Sequence, residues 1–223
     1  MPGTLYIVAT PIGNLEDITL RAKRILSEVD LIVCEDTRVT SKLLARFEIK
    51  KPLKPLHQHS DDHQLSYVAQ EVLDGKNVAY VSDAGTPGVN DPGGRLVQIA
   101  MEAGIPVSPI PGASALTTAM SVCGFPTEHF TYLGFIPHKK GRQTFFKDVA
   151  ARKEAVIFFE STHRLVKTLE SLATTLDAKR MMFVGRELTK MHETLYRGTA
   201  AEVLAQVKAT SDKGEAVIIV SPV

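Results

Sequence analysis

An α/β fold in two domains is predicted on three observations. Short apolar strands alternate with amphipathic helical patterns, turn-forming residues close each strand, and a Pro/Gly-rich segment divides the chain near its middle. In the first half the strands are apolar throughout, which argues for a mainly parallel sheet with helices on both faces. The second half has a different rhythm, and some of its strands are close enough in sequence for antiparallel pairing. A mixed or antiparallel sheet with helices is expected there. The 223 residues, 44% hydrophobic and 23% charged, suffice for a buried core and exclude a disordered or disulfide-scaffold chain.

The elements follow in order. Thr4–Ala9 is a β-branched run halted by Thr10-Pro11-Ile12-Gly13-Asn14, so a buried strand enters a tight loop. Thr19 suits an N-cap, and Leu20, Ile25, Leu26 and Val29 recur near helical spacing before Asp30. Leu31–Cys34 is the second strand; a basic helix is expected around Ser41–Phe47 and an amphipathic one over Asp61–Asp74, closed by Gly75. Val78–Val81 is the third strand. A long loop, Ser82–Gly94, leads into a helix ending near Ala103-Gly104, and Ile105–Ile110 is another strand. The prolines and glycine of Pro109-Ile110-Pro111-Gly112 mark the domain boundary, giving domains 1–111 and 112–223. Beyond it, Phe130–Phe135, Ala155–Phe159, Met181–Val184, Glu193–Arg197 and Ala216–Val220 read as strands. Gly141–Ala150, Leu165–Thr175 and Ala200–Thr210 read as helices.

Charge is unevenly shared. Up to Gly112 there are 11 basic and 14 acidic residues, and from Ala113 onward 15 basic and 11 acidic, so the second half is the anion-facing side. Cys34 and Cys123 stand alone in apolar surroundings without metal or disulfide spacing, which fits a reducing compartment. No apolar run reaches 18 residues and no leader pattern precedes the first strand, so a cytoplasmic protein with no membrane partner is expected.

The densest turn-forming segment, Ser82–Gly94, directly follows a buried strand. Its glycines permit close backbone approach, its prolines hold shape, and Asp83 and Asp91 can accept hydrogen bonds or cap the next helix. No G-x-G-x-x-G or phosphate-loop motif occurs. No metal is assigned: His57-Gln58-His59 with Asp61, Asp62 and His63 matches no standard zinc spacing.

Five segments in order carry a resemblance: Tyr6–Leu15, Cys34-Glu35-Asp36-Thr37-Arg38, Val81–Gly93, Pro109–Ala115 and Gly185-Arg186-Glu187-Leu188-Thr189-Lys190. Together they resemble the tetrapyrrole methylase-type S-adenosylmethionine-dependent methyltransferases. Within that family they look like the ribosomal RNA small-subunit methyltransferase I branch, which methylates a cytidine 2′-hydroxyl in 16S ribosomal RNA. The likeness runs from residue 4 to about residue 220. Thr162 stands where this branch usually has proline, and the chain ends soon after Ala216–Val220, where many relatives continue.

The resemblance implies a two-domain enzyme, usually a homodimer, with S-adenosylmethionine in a cleft between the domains and the small ribosomal subunit as partner. By motif position the donor should touch Ile12, Ala84, Gly85, Thr86, Val89, Ser114, Ala115 and Leu188. Ordinary packing competes for the alanines. Methyl transfer to a hydroxyl is an in-line displacement, for which the protein must align donor and acceptor and can assist with a base. Glu35 is the favoured base, against ion pairing with Arg38; Asp36, a helix cap by its other reading, Glu160 and Lys190 are further candidates. For RNA contact the cluster Lys139, Lys140 and Arg142 is followed by Arg164, Arg186 and Lys190, with Phe135, Tyr132 or Phe145 as possible stacking surfaces. Two alternatives stay open: carbon methylation of a tetrapyrrole, which the basic cluster disfavours, and a silent RNA-binding protein of the same fold.

Overall fold

The computed structural model describes every residue except Gln58, His59, Asp61, Thr162 and Asp212. The chain forms two compact units, Met1–Ser114 and Ala115–Val223. The first contains β1 (Leu5–Val8), α1 (Leu20–Glu28), β2 (Leu31–Cys34), α2 (Thr37–Arg46), β3 (Leu53–Pro55), α3 (Asp62–Leu73), β4 (Val78–Val81), α4 (Gly93–Glu102) and β5 (Val107–Ile110). Its strands lie in the order β3-β2-β4-β1-β5, and every pairing is parallel.

Alternate residues of each strand face opposite layers, which is why β2 and β4 are buried throughout. Val33, Val78 and Tyr80 join Leu65, Val68 and Leu96 on one face. Ile32, Cys34, Ala79 and Val81 join Ala22, Leu26 and Leu44 on the other. Leu20, read with the apolar stripe of α1, is instead 85% exposed, because it precedes the Ala22-Ile25-Leu26 face that meets the sheet.

Two elements depart from the expected pattern. Helix α2 starts at Thr37, a full turn before Ser41, since the Asp36 carboxylate caps it by accepting the Arg38 N–H at 2.8 Å. Strand β3 has no apolar signature, being Leu-Lys-Pro; the missing N–H of Pro55 is tolerable because β3 lies at the sheet edge.

The second unit contains α5 (Ala115–Cys123), β6 (Phe130–Phe135), α6 (Arg142–Ala151), β7 (Ala155–Glu160), α7 (Leu165–Thr175), β8 (Met181–Arg186), β9 (Thr194–Thr199), α8 (Ala200–Ala209) and β10 (Ala216–Val220). Its sheet runs β6-β7-β10-β8-β9; β6 and β7 are parallel and the other three pairings antiparallel. One core joins the sheet residues Val156, Phe158, Val184 and Ile218 to Phe146, Leu169 and Val203 of the covering helices. Helix α5 is the element the periodicity does not announce, because its ALTTAMSVC stretch mixes threonine with apolar residues on all sides. It lies against β8 and β10.

Helix α8 begins with a reciprocal cap: Thr199 N–H donates to Glu202 at 2.7 Å, and Glu202 N–H donates to the Thr199 hydroxyl at 3.4 Å. Thr199→Ala is expected to lower stability by about 1 kcal/mol. The midpoint of urea unfolding should fall with an unchanged m-value; an unchanged midpoint would show that the cap contributes nothing.

Candidate active site

In a parallel sheet every strand delivers its outgoing loop to the same edge, and ligands bind outside the strand C-termini. The first unit collects four of the five motif segments there, after β1, β2, β4 and β5. The loops after β1 and β4 are joined backbone to backbone: Thr10 N–H donates to Gly85 O at 2.9 Å and Gly85 N–H to Thr10 O at 3.1 Å. The loop after β5 is tied in by Thr86, whose hydroxyl donates to Ala113 O at 3.0 Å.

Gly85 sits at φ +82°, a conformation side chains rarely adopt. A Cβ there would lie 3.3 Å from Ile12 Cγ2 and 3.8 Å from Ala113 O. Ile12, Gly85 and Thr86 therefore come together beside Ala113. Ala84 and Val89 are exposed on the same loop. The loop keeps its shape through Asp91, whose carboxylate accepts from the N–H groups of Gly88 at 2.9 Å and Gly93 at 2.8 Å and from the Tyr80 hydroxyl at 3.3 Å.

At the end of β2, Glu35 is half-buried, and burial followed by the nearby Asp83 charge raises its pKa above the ordinary carboxylate value. Asp83 is raised too, chiefly by burial, and its carboxylate accepts the Asp36 N–H at 3.0 Å. Asp36 goes the other way: hydrogen bonds from the Arg38 side chain and N–H lower it to about 2. Arg38 is thus engaged by Asp36, and the surroundings strengthen the basicity of both Glu35 and Asp83.

A separate open cleft of about 380 Å³ is lined by His57, Ser60, Leu65, Asn90, Asp91, Pro92 and Arg95, the last residues of the same loop among them. It contains none of the residues read as donor contacts, and the convergence of backbone at Thr10 and Gly85 is the better guide to the chemistry. Of the histidine-rich segment, Gln58, His59 and Asp61 lie outside the described residues. Among the described residues no three His, Cys, Asp or Glu side chains are grouped to hold a metal.

In the second unit the fifth motif forms a tight reversal after β8. Glu187 and Thr189 both adopt positive φ, at +51° and +66°, and Leu188 between them is buried over Gly185. A Cβ at Gly185 would lie 2.9 Å from Leu188 Cδ2, so a larger residue there would require the leucine to shift. The Thr189 hydroxyl is buried and, among the described residues, has no hydrogen-bond partner. Positive φ at the β-branched Thr189 marks strained backbone. Ala115 opens α5, directly after Ser114.

The six basic residues grouped by sequence are not equivalent. Lys139 and Lys140 are exposed in the turn before α6. Arg142 and Arg164 turn inward to the buried Glu160. Arg186 is also buried: it donates to Lys213 O at 2.7 Å, His192 O at 2.9 Å and the Thr194 hydroxyl at 2.9 Å. It braces the chain on either side of β9 instead of presenting a surface charge. Lys190 is paired with Glu187 and Glu215, each at 2.9 Å. Sequence marks these residues as cations; only packing shows which donors are already satisfied.

The family model of the tetrapyrrole (corrin/porphyrin) methylases matches residues 4–204. Ribosomal RNA small subunit methyltransferase I of Escherichia coli O157:H7 is 48% identical over 221 residues, covering 98% of this chain and 77% of that one. The protein of the same name from Thermotoga maritima is 42% identical over 219 residues, covering 98% of each. Among solved structures, diphthine synthase superposes with a TM-score of 0.75 at 14% identity, covering 98% of this chain and 90% of that one. Uroporphyrin-III-C-methyltransferase from Thermus thermophilus gives a TM-score of 0.67 at 19% identity, covering 98% and 94%. With the family model spanning residues 4–204 and relatives at 42–48% identity over nearly the whole chain, the chain belongs to the tetrapyrrole methylase family.

Proposed function

We propose that this methyltransferase moves a methyl group from S-adenosylmethionine to the 2′-hydroxyl of a cytidine in the 16S RNA of the small ribosomal subunit, as a cytoplasmic homodimer. The observation that carries the donor assignment is the Thr10–Gly85 backbone bridge, which gathers Ile12, Gly85 and Thr86 around a glycine with no side chain to fill the space. The relatives' names support small-subunit ribosomal RNA as the acceptor class, and the cytidine 2′-hydroxyl is what the motif resemblance implies.

When bound, S-adenosylmethionine supplies a methyl group activated by its sulfonium. Ile12, Ala84, Gly85, Thr86, Val89 and Ser114 are the first unit's donor-binding residues; small side chains and exposed backbone suit a flat, polar-edged ligand. Glu35 would accept the proton of the ribose hydroxyl at its carboxylate. Its raised pKa makes it a stronger base than an ordinary carboxylate. Lys139 and Lys140 supply positive charge for the RNA backbone.

Labelled donor offered to unmodified small subunits and, separately, to a tetrapyrrole precursor tests the reading. Label is expected in RNA; label in the tetrapyrrole alone would overturn the acceptor, and no donor affinity by calorimetry would support a silent RNA-binding protein. For Glu35, the sign is set by its raised pKa: the carboxylate is active when ionised, so single-turnover rates should rise with pH through a midpoint above the ordinary carboxylate range. Glu35→Gln should abolish that rise and slow transfer by about 10²-fold. Wild-type rates across pH in the variant would remove Glu35 from the mechanism.

A further inference from the structure

Glu160 is charged, fully buried and unused by the chemistry above. It ends β7, and its carboxylate accepts from Ser161 N–H at 2.7 Å, Arg164 Nε at 2.7 Å and the Thr168 hydroxyl at 2.5 Å. Arg142 Nη1 stands 3.6 Å from its second oxygen, and Arg142 Nη2 donates to Thr168 at 2.7 Å. A buried carboxylate persists only when paired and hydrogen-bonded, and this one has both. Two guanidinium groups share the single carboxylate, so the cluster keeps one positive charge in excess.

The geometry of those two arginines is specific. Arg164 reaches past Glu160 to donate from Nη2 to Ile136 O at 2.9 Å, where the chain has just left β6. Arg142 is the first residue of α6. The segment from Ile136 to Arg142 is therefore fastened at both ends to one carboxylate. Between the anchors the chain turns on Gly141 at φ +88°, and the Arg142 N–H donates to Lys139 O at 3.4 Å. Lys139 and Lys140 occupy the turn, both exposed. Gly141 gives α6 no side-chain cap, so the positive end of that helix lies behind the lysines.

We infer that the turn from Ile136 to Arg142 is a preformed clamp for two consecutive RNA phosphates. Lys139 and Lys140 are its contacts, and Glu160, Arg142 and Arg164 are positioning residues that hold it in shape. This rests on the RNA reading above and divides the basic residues by role. The lysines neutralise phosphate, whereas the arginines neutralise Glu160 and reduce the ordering needed when RNA binds.

Binding of unmodified 16S RNA measured from low to moderate salt separates the roles. Lys139→Ala with Lys140→Ala should flatten the dependence of log affinity on log salt by about 1.4, the contribution of two single-strand phosphate contacts. Arg164→Gln also removes a charge, but as a positioning residue it should weaken RNA binding by about fivefold with the salt slope unchanged. Its KM for RNA should rise while kcat at saturating RNA and the affinity for S-adenosylmethionine hold. If Arg164→Gln does not fold, Arg142→Lys loosens the other anchor and should give the same signature.

An unchanged slope in the double-lysine variant overturns the clamp. Wild-type affinity in both arginine variants overturns the positioning role, as does a slope that falls by about 0.7 in Arg164→Gln, the mark of a direct phosphate contact. Transfer of label from donor to RNA by the wild-type chain is scored separately. If it persists while the lysine variant binds normally, only the clamp fails; if it is absent from the wild type, the RNA reading itself fails.

Discussion

Gly85→Val is expected to reduce methyl transfer by about 10- to 100-fold, the equivalent of about 1–3 kcal/mol of backbone strain placed in the donor loop. Two effects add. A β-branched residue at φ +82° is a steric outlier, and its Cβ would begin 3.3 Å from Ile12 Cγ2, with the γ-methyl groups further crowding the space. Relaxing the strained backbone would pull on the Thr10–Gly85 bridge and on the Thr86–Ala113 bond beside it. Calorimetric titration with S-adenosylmethionine should show the loss in binding as well as in rate. Gly94→Ala is the control: a Cβ there meets nothing within 4 Å, and the position is helical. It should leave donor affinity intact and stabilise the protein by up to about 1 kcal/mol. Equal donor affinity in Gly85→Val and wild type would place the donor elsewhere.

Glu160→Gln is expected to be the most destabilising single conservative change, by about 3–5 kcal/mol. The amide is nearly the same size, so no cavity opens. What is lost is, among the described residues, the one negative charge paired with Arg142 and Arg164, leaving two largely buried guanidinium groups beside a neutral, fully buried partner. Chemical unfolding followed by probes in the second unit should show the drop. Glu160→Gln combined with Arg164→Gln should recover part of it, because one of the stranded charges goes as well. No loss in the single variant would mean that solvent or rearrangement compensates the arginines and that the carboxylate does not organise this region.

Much of the architecture was legible because its signals are local. Buried parallel strands such as Leu31–Cys34 and Val78–Val81 must be apolar on both faces, and a short continuous apolar run is visible without any knowledge of partners. Thr19 announces α1 because a cap acts within one turn. The elements that escaped are those whose existence depends on neighbours. Strand β3 is a strand because β2 offers it an edge, and α5 is a helix despite its threonines because β8 and β10 lie against it.

The same division runs through the candidate site. The order of the five motif segments, and hence membership of the tetrapyrrole methylase family, is a property of the sequence alone, since residue identity and spacing carry it. Which charges are available is not. Arg142, Arg164 and Arg186 read as surface cations next to Lys139 and Lys140, yet the folded chain turns all three arginines inward, to Glu160 or to backbone carbonyls. The raised pKa of Glu35 likewise comes from burial and from Asp83, 48 residues away along the chain. Composition determines how many charges a protein carries; the solvation and the partners of each are set by contacts between distant segments, and those exist only once the chain has folded.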